Sequence, residues 1–255
     1  MYDDYDSPDY FDDPPFYDDR RRLDGGYLHL CPECRDLMSD VLLAWANVPR
    51  PLPEPDWSRA LRWLDAICGG RQAVLDLDTT PLEAHAVEPA REPTDVEAQR
   101  LELTEGLLDA LAGQFGDSEV AVAFRRGLRR CFECEPGLVM AARSPESLAL
   151  GVAWAVGHAN GLLWPLGRVT ETALKQQLGA SQSGAMFGSK VEGALAGPFR
   201  WQTPELPWDY RFGLRRDRGL KPLGHAGLLV SSCRRQLVEV RDRALSAQRA
   251  TPDAA

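Results

Sequence analysis

Residues 148–166 read LALGVAWAVGHANGLLWPL, the longest uncharged apolar run in the chain. The fold turns on whether this run spans a membrane or fills the middle of a protein. Its length suits a span, which needs about 20 apolar residues. Its composition does not, because Gly151, Gly157, His158, Asn160, Gly161 and Pro165 dilute it. Just upstream, Ser144 and Pro145 make a helix start: an oxygen that accepts a free N–H, then a residue whose missing N–H costs nothing in the first turn. A helix apolar nearly all round is one surrounded by other helices. The run is therefore read as a buried central helix, with no membrane involvement.

Working outward, almost every other signal is helical. A short helix is expected over 35–47, ended by the prolines of VPRPLPEP. Asp56 opens another to Cys68, with Trp57, Leu61, Leu64 and Cys68 on one stripe and Gly69-Gly70 as a stop. Residues 71–93 read as a linker or irregular loop. Thr94 and Glu97 have capping-box spacing and start a helix to about Ala112. Ser118 starts the next, which ends in a cysteine pair. Helices follow over about 170–178 and 183–196. A last one, over roughly 224–248, would carry Leu228, Leu229, Cys233, Leu237 and Val240 inward and Arg234, Arg235, Arg241 and Arg243 outward. FRWQ and DYRFGL, at 199–202 and 209–214, offer at most a small hairpin. The fold class is mostly α, a multi-helix globular domain.

The 255 residues are 44% hydrophobic and 26% charged, ordinary for a globular protein, with a formal net charge of −9. That charge is unevenly placed. Residues 1–19 hold eight Asp and no Lys or Arg, whereas residues 161–255 hold 14 Lys/Arg against 8 Asp/Glu. The acidic, aromatic start is not a secretory signal, which needs a basic and then an apolar stretch. Three regions are expected: an acidic–aromatic tail over 1–26 with the composition of a disordered segment, a helical domain over 27–165, and a basic helical part over 166–255. A reducing, cytoplasmic setting follows for the cysteines, where pairs bind metal more often than they form disulfides.

Two such pairs share one spacing. Cys31 and Cys34 stand in LHLCPECRD, Cys131 and Cys134 in RRCFECEPG. A CxxC sets two sulfurs close enough to share a tetrahedral zinc ion, and two pairs close the site. Cys31, Cys34, Cys131 and Cys134 are thus the expected ligands of one structural zinc, clipping the N-terminal segment to mid-chain. An iron–sulfur cluster has the same ligand count. A thiol redox pair and plain buried cysteines are further readings. Cys68 and Cys233 fall on apolar helix faces and read as core, as does His158; His29 is a reserve ligand beside the first pair.

ALKQQLGAS, within residues 170–195, resembles the first helix and turn of a bacterial helix-turn-helix. Leu174 and Leu178 would face the core, Gly179 would take the left-handed turn and Ala180 would seal the corner. Ser181, Gln182, Ser183 and Lys190, at the start and outer face of the second helix, would then reach bases and phosphates. Lys175 departs from the pattern, and Gly184 and Gly188 weaken that helix by about 1 kcal/mol each. The loop over 211–224 adds Arg211, Arg215, Arg216, Arg218 and Lys221 beside aromatics, a phosphate grip or a dock for an acidic peptide.

No nucleophile elbow, HExxH metal motif, phosphate loop or dinucleotide turn is present, so no catalytic constellation and no small-molecule substrate is inferred. DLDTT at 76–80 has too few ligands for calcium. The leading expectation is a DNA-binding or transcription-regulatory protein stabilised by zinc. The alternatives are a helical protein–protein adaptor acting through its acidic–aromatic tail, or an iron–sulfur or thiol redox sensor.

Overall fold

The computed structural model describes residues 54–83, 92–181, 183–201 and 220–251. Nine α-helices run through them: α1 Asp56–Cys68, α2 Arg71–Leu75, α3 Asp95–Ala112, α4 Ser118–Cys134, α5 Pro136–Ala141, α6 Pro145–Ala159, α7 Glu171–Leu178, α8 Gly184–Ala196 and α9 Ser231–Ala250. Among the described residues no strand forms, and the one backbone bridge outside the helices joins Leu163 to Val169. Phe199–Trp201, which offered at most half of a small hairpin, lie in a 3₁₀ turn; the stretch over 209–214 and the helix expected over 35–47 lie outside the described residues.

Helix α6 is the central element. Its start is as read: the Ser144 hydroxyl accepts the Ser147 N–H at 3.3 Å, and Pro145 takes the first position. Every residue from Leu148 to Gly157 is buried. Helices α3, α4, α7 and α8 pack around it, while α9 lies on α1. The described residues belong to one packed unit, Glu54–Ala255, and its core runs from Ala60 to Ala244. The expected border at 165/166 falls inside that core. No described helix is long and apolar enough to cross a membrane.

The residues that disqualify 148–166 as a span are the ones that knit the core. A Cβ on Gly151 would sit 2.8 Å from Phe187 Cδ1, and one on Gly157 would sit 2.9 Å from Leu163 Cγ. On the facing helix, a Cβ on Gly188 would come within 2.4 Å of Trp154 Cε3, and one on Gly184 within 3.0 Å of Leu150 Cγ. Gly184 and Gly188 are therefore contact points that let α8 lie close on α6, not flaws in an exposed helix. Asn160 ends α6 and is fully engaged. Its Nδ2 donates to Val156 O at 2.8 Å and Leu228 O at 2.9 Å, and its Oδ1 accepts the Val230 N–H at 2.7 Å. That bond holds Val230 extended, so α9 starts at Ser231, later than the expected 224.

The stretch after α2 is not a plain linker, and two arginines expected outward are turned in to hold it. The last carbonyls of a helix lack partners within it. Arg241 Nη1 supplies donors to Val74 O, Leu75 O and Leu77 O at 3.2, 3.2 and 2.7 Å, a cation at a helix C-terminus. Arg234, only 8% exposed, pairs with Asp78 at 3.0 Å, donates to the Thr80 carbonyl and lies 3.9 Å from Glu119. Glu119 accepts the N–H of Leu82 at 3.0 Å and of Ser231 at 2.8 Å, and the Ser231 hydroxyl. Arg235 and Arg243 are exposed, as expected. Periodicity fixes which residues share a face; it does not reveal that a strap of free carbonyls lies across that face.

Two outcomes follow. Gly188→Ala should lose about 1–3 kcal/mol in urea denaturation through overpacking against Trp154, whereas Gly106→Ala, with nothing within 4 Å on exposed α3, should gain up to about 1 kcal/mol. Burial pushes the Glu119 carboxyl up, yet hydrogen bonds from Ser231 and Leu82 and the Arg234 charge outweigh it and hold Glu119 below the ordinary range. A depressed carboxylate contributes stability that is present above its unfolded value and lost as pH falls through its folded one. Glu119→Gln should cost about 1–3 kcal/mol at neutral pH, with the gap to wild type closing below the ordinary glutamate range in denaturation curves taken across pH.

Candidate functional site

The α7–α8 pair is where the expected binding residues gather, and its local geometry follows the sequence closely. Thr170 caps α7, its hydroxyl accepting the Ala173 N–H at 3.2 Å. Gly179 ends the helix at φ +61°, a conformation L side chains disfavour, and the Ala180 N–H closes the turn on Lys175 O at 3.1 Å. Leu174 is fully buried and Leu178 and Ala180 half-buried against the core. Ser183 caps α8, its hydroxyl accepting the Ala185 N–H at 3.2 Å.

A side chain absent from the sequence reading dominates this pair. Glu171, at the first position of α7, reaches across the turn to the N-terminus of α8. Its Oε1 accepts the Ser183 hydroxyl at 2.6 Å and the N–H groups of Gly184 and Ala185 at 2.7 and 3.4 Å. Burial pushes its carboxyl up, but those hydrogen bonds and one from Trp154 prevail and hold it below the ordinary range. A carboxylate at a helix N-terminus also meets the positive end of the helix dipole. Sequence spacing gives no hint of it, since the contact joins two helices across a turn.

Beneath the pair, the His158 ring lies 4.6 Å from that of Trp154, inclined at 64°. His158 is half-buried rather than a full core residue. Burial and the Lys221 charge lower its pKa, against the opposing pull of Glu171. A cleft of about 190 Å³ nearby is lined by Asn160, Ser232, Cys233 and Gln236 among others. The buried Cys233 thiol there donates to Ala159 O at 3.8 Å, and burial pushes it up to about 12.

Of the expected nucleic-acid contacts, Ser181 is exposed, Ser183 is spent on the cap and on Glu171, and Lys190 is exposed with its ammonium 5.9 Å from the centre of the Phe187 ring. The Ser189 hydroxyl donates to Ala185 O at 2.9 Å. Lys221 pairs with Glu192 at 3.8 Å. Gln182, Arg211, Arg215, Arg216 and Arg218 lie outside the described residues.

The cysteines divide in the same way. Cys31 and Cys34, with His29, lie outside the described residues. Cys131 and Cys134 sit on the last turn of α4, not on a separate knuckle, and Cys131 O accepts the Glu135 N–H at 2.9 Å. Cys131 is 0% exposed, and burial, with smaller effects from Cys134 and Glu135, pushes its thiol up to about 12. Cys134 is exposed. Among the described residues no three His, Cys, Asp or Glu side chains converge on a metal position. Cys68 and Cys233 are buried in the core, as read.

Comparison with protein-family models, with curated proteins and with solved structures found no match. Function therefore has to be argued from the site itself.

The two described cysteines separate core packing from metal binding. Cys131→Ser, which buries a hydroxyl in apolar surroundings, should cost about 1–3 kcal/mol, and Cys134→Ser should be nearly neutral. Denaturation curves paired with elemental analysis check this. Equal losses in both variants, with metal released, would instead assign both sulfurs to a metal ion.

Proposed function

We propose that the chain is a helical protein–protein adaptor. The observation that carries this reading is the Glu171 carboxylate lodged in the N-terminus of α8. A DNA-reading helix pair turns that N-terminus toward the duplex, with its N–H groups and dipole facing phosphate. Here a negative charge already holds those N–H groups, and a phosphate arriving there would meet a like charge at close range.

The rest of α8 argues in the same direction. Its inner face is committed to α6 through Gly184 and Gly188. Its outer face shows Ser183, Met186, Ser189 and Lys190. Both serine hydroxyls there are engaged within the protein. On the described turns of that face Lys190 is the one long hydrogen-bonding side chain, and no Arg, Asn or Gln accompanies it. An outer face of Met186 and a lone lysine, Lys190, suits a protein partner better. The eight Asp and interleaved aromatics of residues 1–19 would give the adaptor a second contact segment of opposite charge.

The DNA-binding reading rests on Arg211, Arg215, Arg216 and Arg218, and one titration decides between the two. Fluorescence anisotropy of mixed-sequence duplex DNA against the full chain at low ionic strength should show no saturable binding, while affinity capture should retain a protein partner that survives nuclease treatment. Saturable, salt-sensitive DNA binding that disappears when Arg215, Arg216 and Arg218 are reversed to Glu would replace the adaptor with a DNA-binding protein.

A further inference from the structure

The four arginines of α4 divide into two pairs. Arg125 and Arg129 turn to α3, where they meet Asp109 at 3.1 Å and Glu105 at 2.5 Å. Arg126 and Arg130, one turn apart and so on a common face, border the 3₁₀ turn Ala226–Leu228 that precedes α9. Arg126 has no carboxylate partner among the described residues. Its Nη1 donates to Gly227 O at 3.3 Å and its Nη2 to Glu83 O at 2.8 Å, which holds the guanidinium in place without neutralising it. Each of these nitrogens carries a second N–H beyond those bonds. Arg130 is exposed and pairs with Glu133 at 2.9 Å.

His225 completes the group. Its Nδ1 accepts the Gly227 N–H at 3.1 Å, so in the neutral ring the proton sits on Nε2. A Cβ on Gly227 would lie 3.0 Å from His225 Cε1 and 3.8 Å from Arg126 Nη1, so ring and guanidinium flank the same glycine. Partial burial, then the charges of Arg130 and Arg126, lower the His225 pKa against the opposing pull of Glu133. The ring therefore stays neutral at physiological pH and keeps Nε2–H as a donor. Around His225 two cations thus stand against one carboxylate, and that carboxylate is already paired with Arg130. Such a set of donors suits an oxyanion. A ligand here has to outcompete Glu133 for Arg130, and a second carboxylate would only match it. A phosphate group brings up to about two negative charges and three acceptor oxygens, and guanidinium forks fit its geometry.

We propose that Arg126, Arg130 and His225 bind the phosphate group of a small ligand, free phosphate or a phosphate monoester, which displaces Glu133 from Arg130. The site uses none of the residues on which the adaptor reading rests, and it stands or falls separately from it. Arg126 is the fixed member, held by two carbonyls, while Arg130 exchanges one anion for another.

The test is isothermal titration calorimetry of the full chain in chloride buffer of constant ionic strength, with inorganic phosphate and with phenyl phosphate as probes. Binding should be saturable, and the tighter probe tells the free ion from the ester. Arg130→Gln should weaken it about tenfold or more, as loss of a charged hydrogen bond does, and His225→Ala about fivefold. Glu133→Gln should tighten it about threefold, because the competing carboxylate is gone; a merely structural role for these groups would not produce that gain. Circular dichroism should be unchanged in Arg130→Gln, whose side chain is exposed, so this variant decides even if His225→Ala disturbs the turn it caps. No saturable binding of either probe overturns the site, as does binding that is the same in Arg130→Gln and Glu133→Gln as in the wild type. Succinate bound as tightly as phosphate overturns phosphate as the ligand. Duplex DNA binding that Arg130→Gln abolishes would assign these cations to a nucleic-acid backbone and overturn the small ligand.

Discussion

The close approach of α6 and α8 is the constraint on which the rest of the molecule depends. Gly188 lies so near Trp154 that a single methyl group would overlap the indole. Gly151 and Gly184 repeat the condition along the same seam. Once two helices lie this close, their relative position is fixed by backbone shape and not by adaptable side chains, because packed interiors leave no slack to absorb a shift. The position of α8 then fixes where its exposed Met186 and Lys190 stand. It also brings Gly184 and Ala185 to where Glu171 can reach them.

A second layer of order comes from polar side chains that bridge separate elements. Asn160 joins the end of α6 to the approach to α9 through three hydrogen bonds. Glu119 and Arg234 tie α4 and α9 to the strap that follows α2, and Arg241 caps the carbonyls of α2 itself. Burying such groups is costly when they are left half-paired and specifying when they are satisfied. The apolar core permits many arrangements of similar helices; these contacts accept only one, since each requires a particular carbonyl or carboxylate at a particular place.

The central helix, its capping residues, the Thr94–Glu97 capping box, the Gly179 turn and the core placement of Leu174, Cys68 and Cys233 were all legible in the sequence, because each rests on a local pattern: an N-cap, an apolar period or a left-handed glycine. What escaped was relational. Arg234 and Arg241 looked like a solvated face because nothing local announces that the strap of residues 76–83 crosses it. Gly184 and Gly188 looked like weaknesses because their value lies in a partner helix more than 30 residues away in sequence. Glu171 went unnoticed for the same reason. Its carboxylate acts on a helix it does not belong to, and only the folded turn brings the two together.

That difference also shows why the helix pair resembles a nucleic-acid reader in sequence: the resemblance rests on a local pattern. The pattern of Leu174, Leu178, Gly179 and Ala180 encodes a corner between two helices, and the corner forms as encoded. A corner becomes a reader only when the N-terminus of its second helix is left open and its outer face carries hydrogen-bonding side chains. Here Glu171 already bonds the first N–H groups of α8, Gly184 and Gly188 turn its inner face to α6, and its outer face carries Met186 and Lys190. The adaptor proposed above needs neither an open helix N-terminus nor base-reading side chains on α8, and so asks nothing of this turn that Glu171 has already taken.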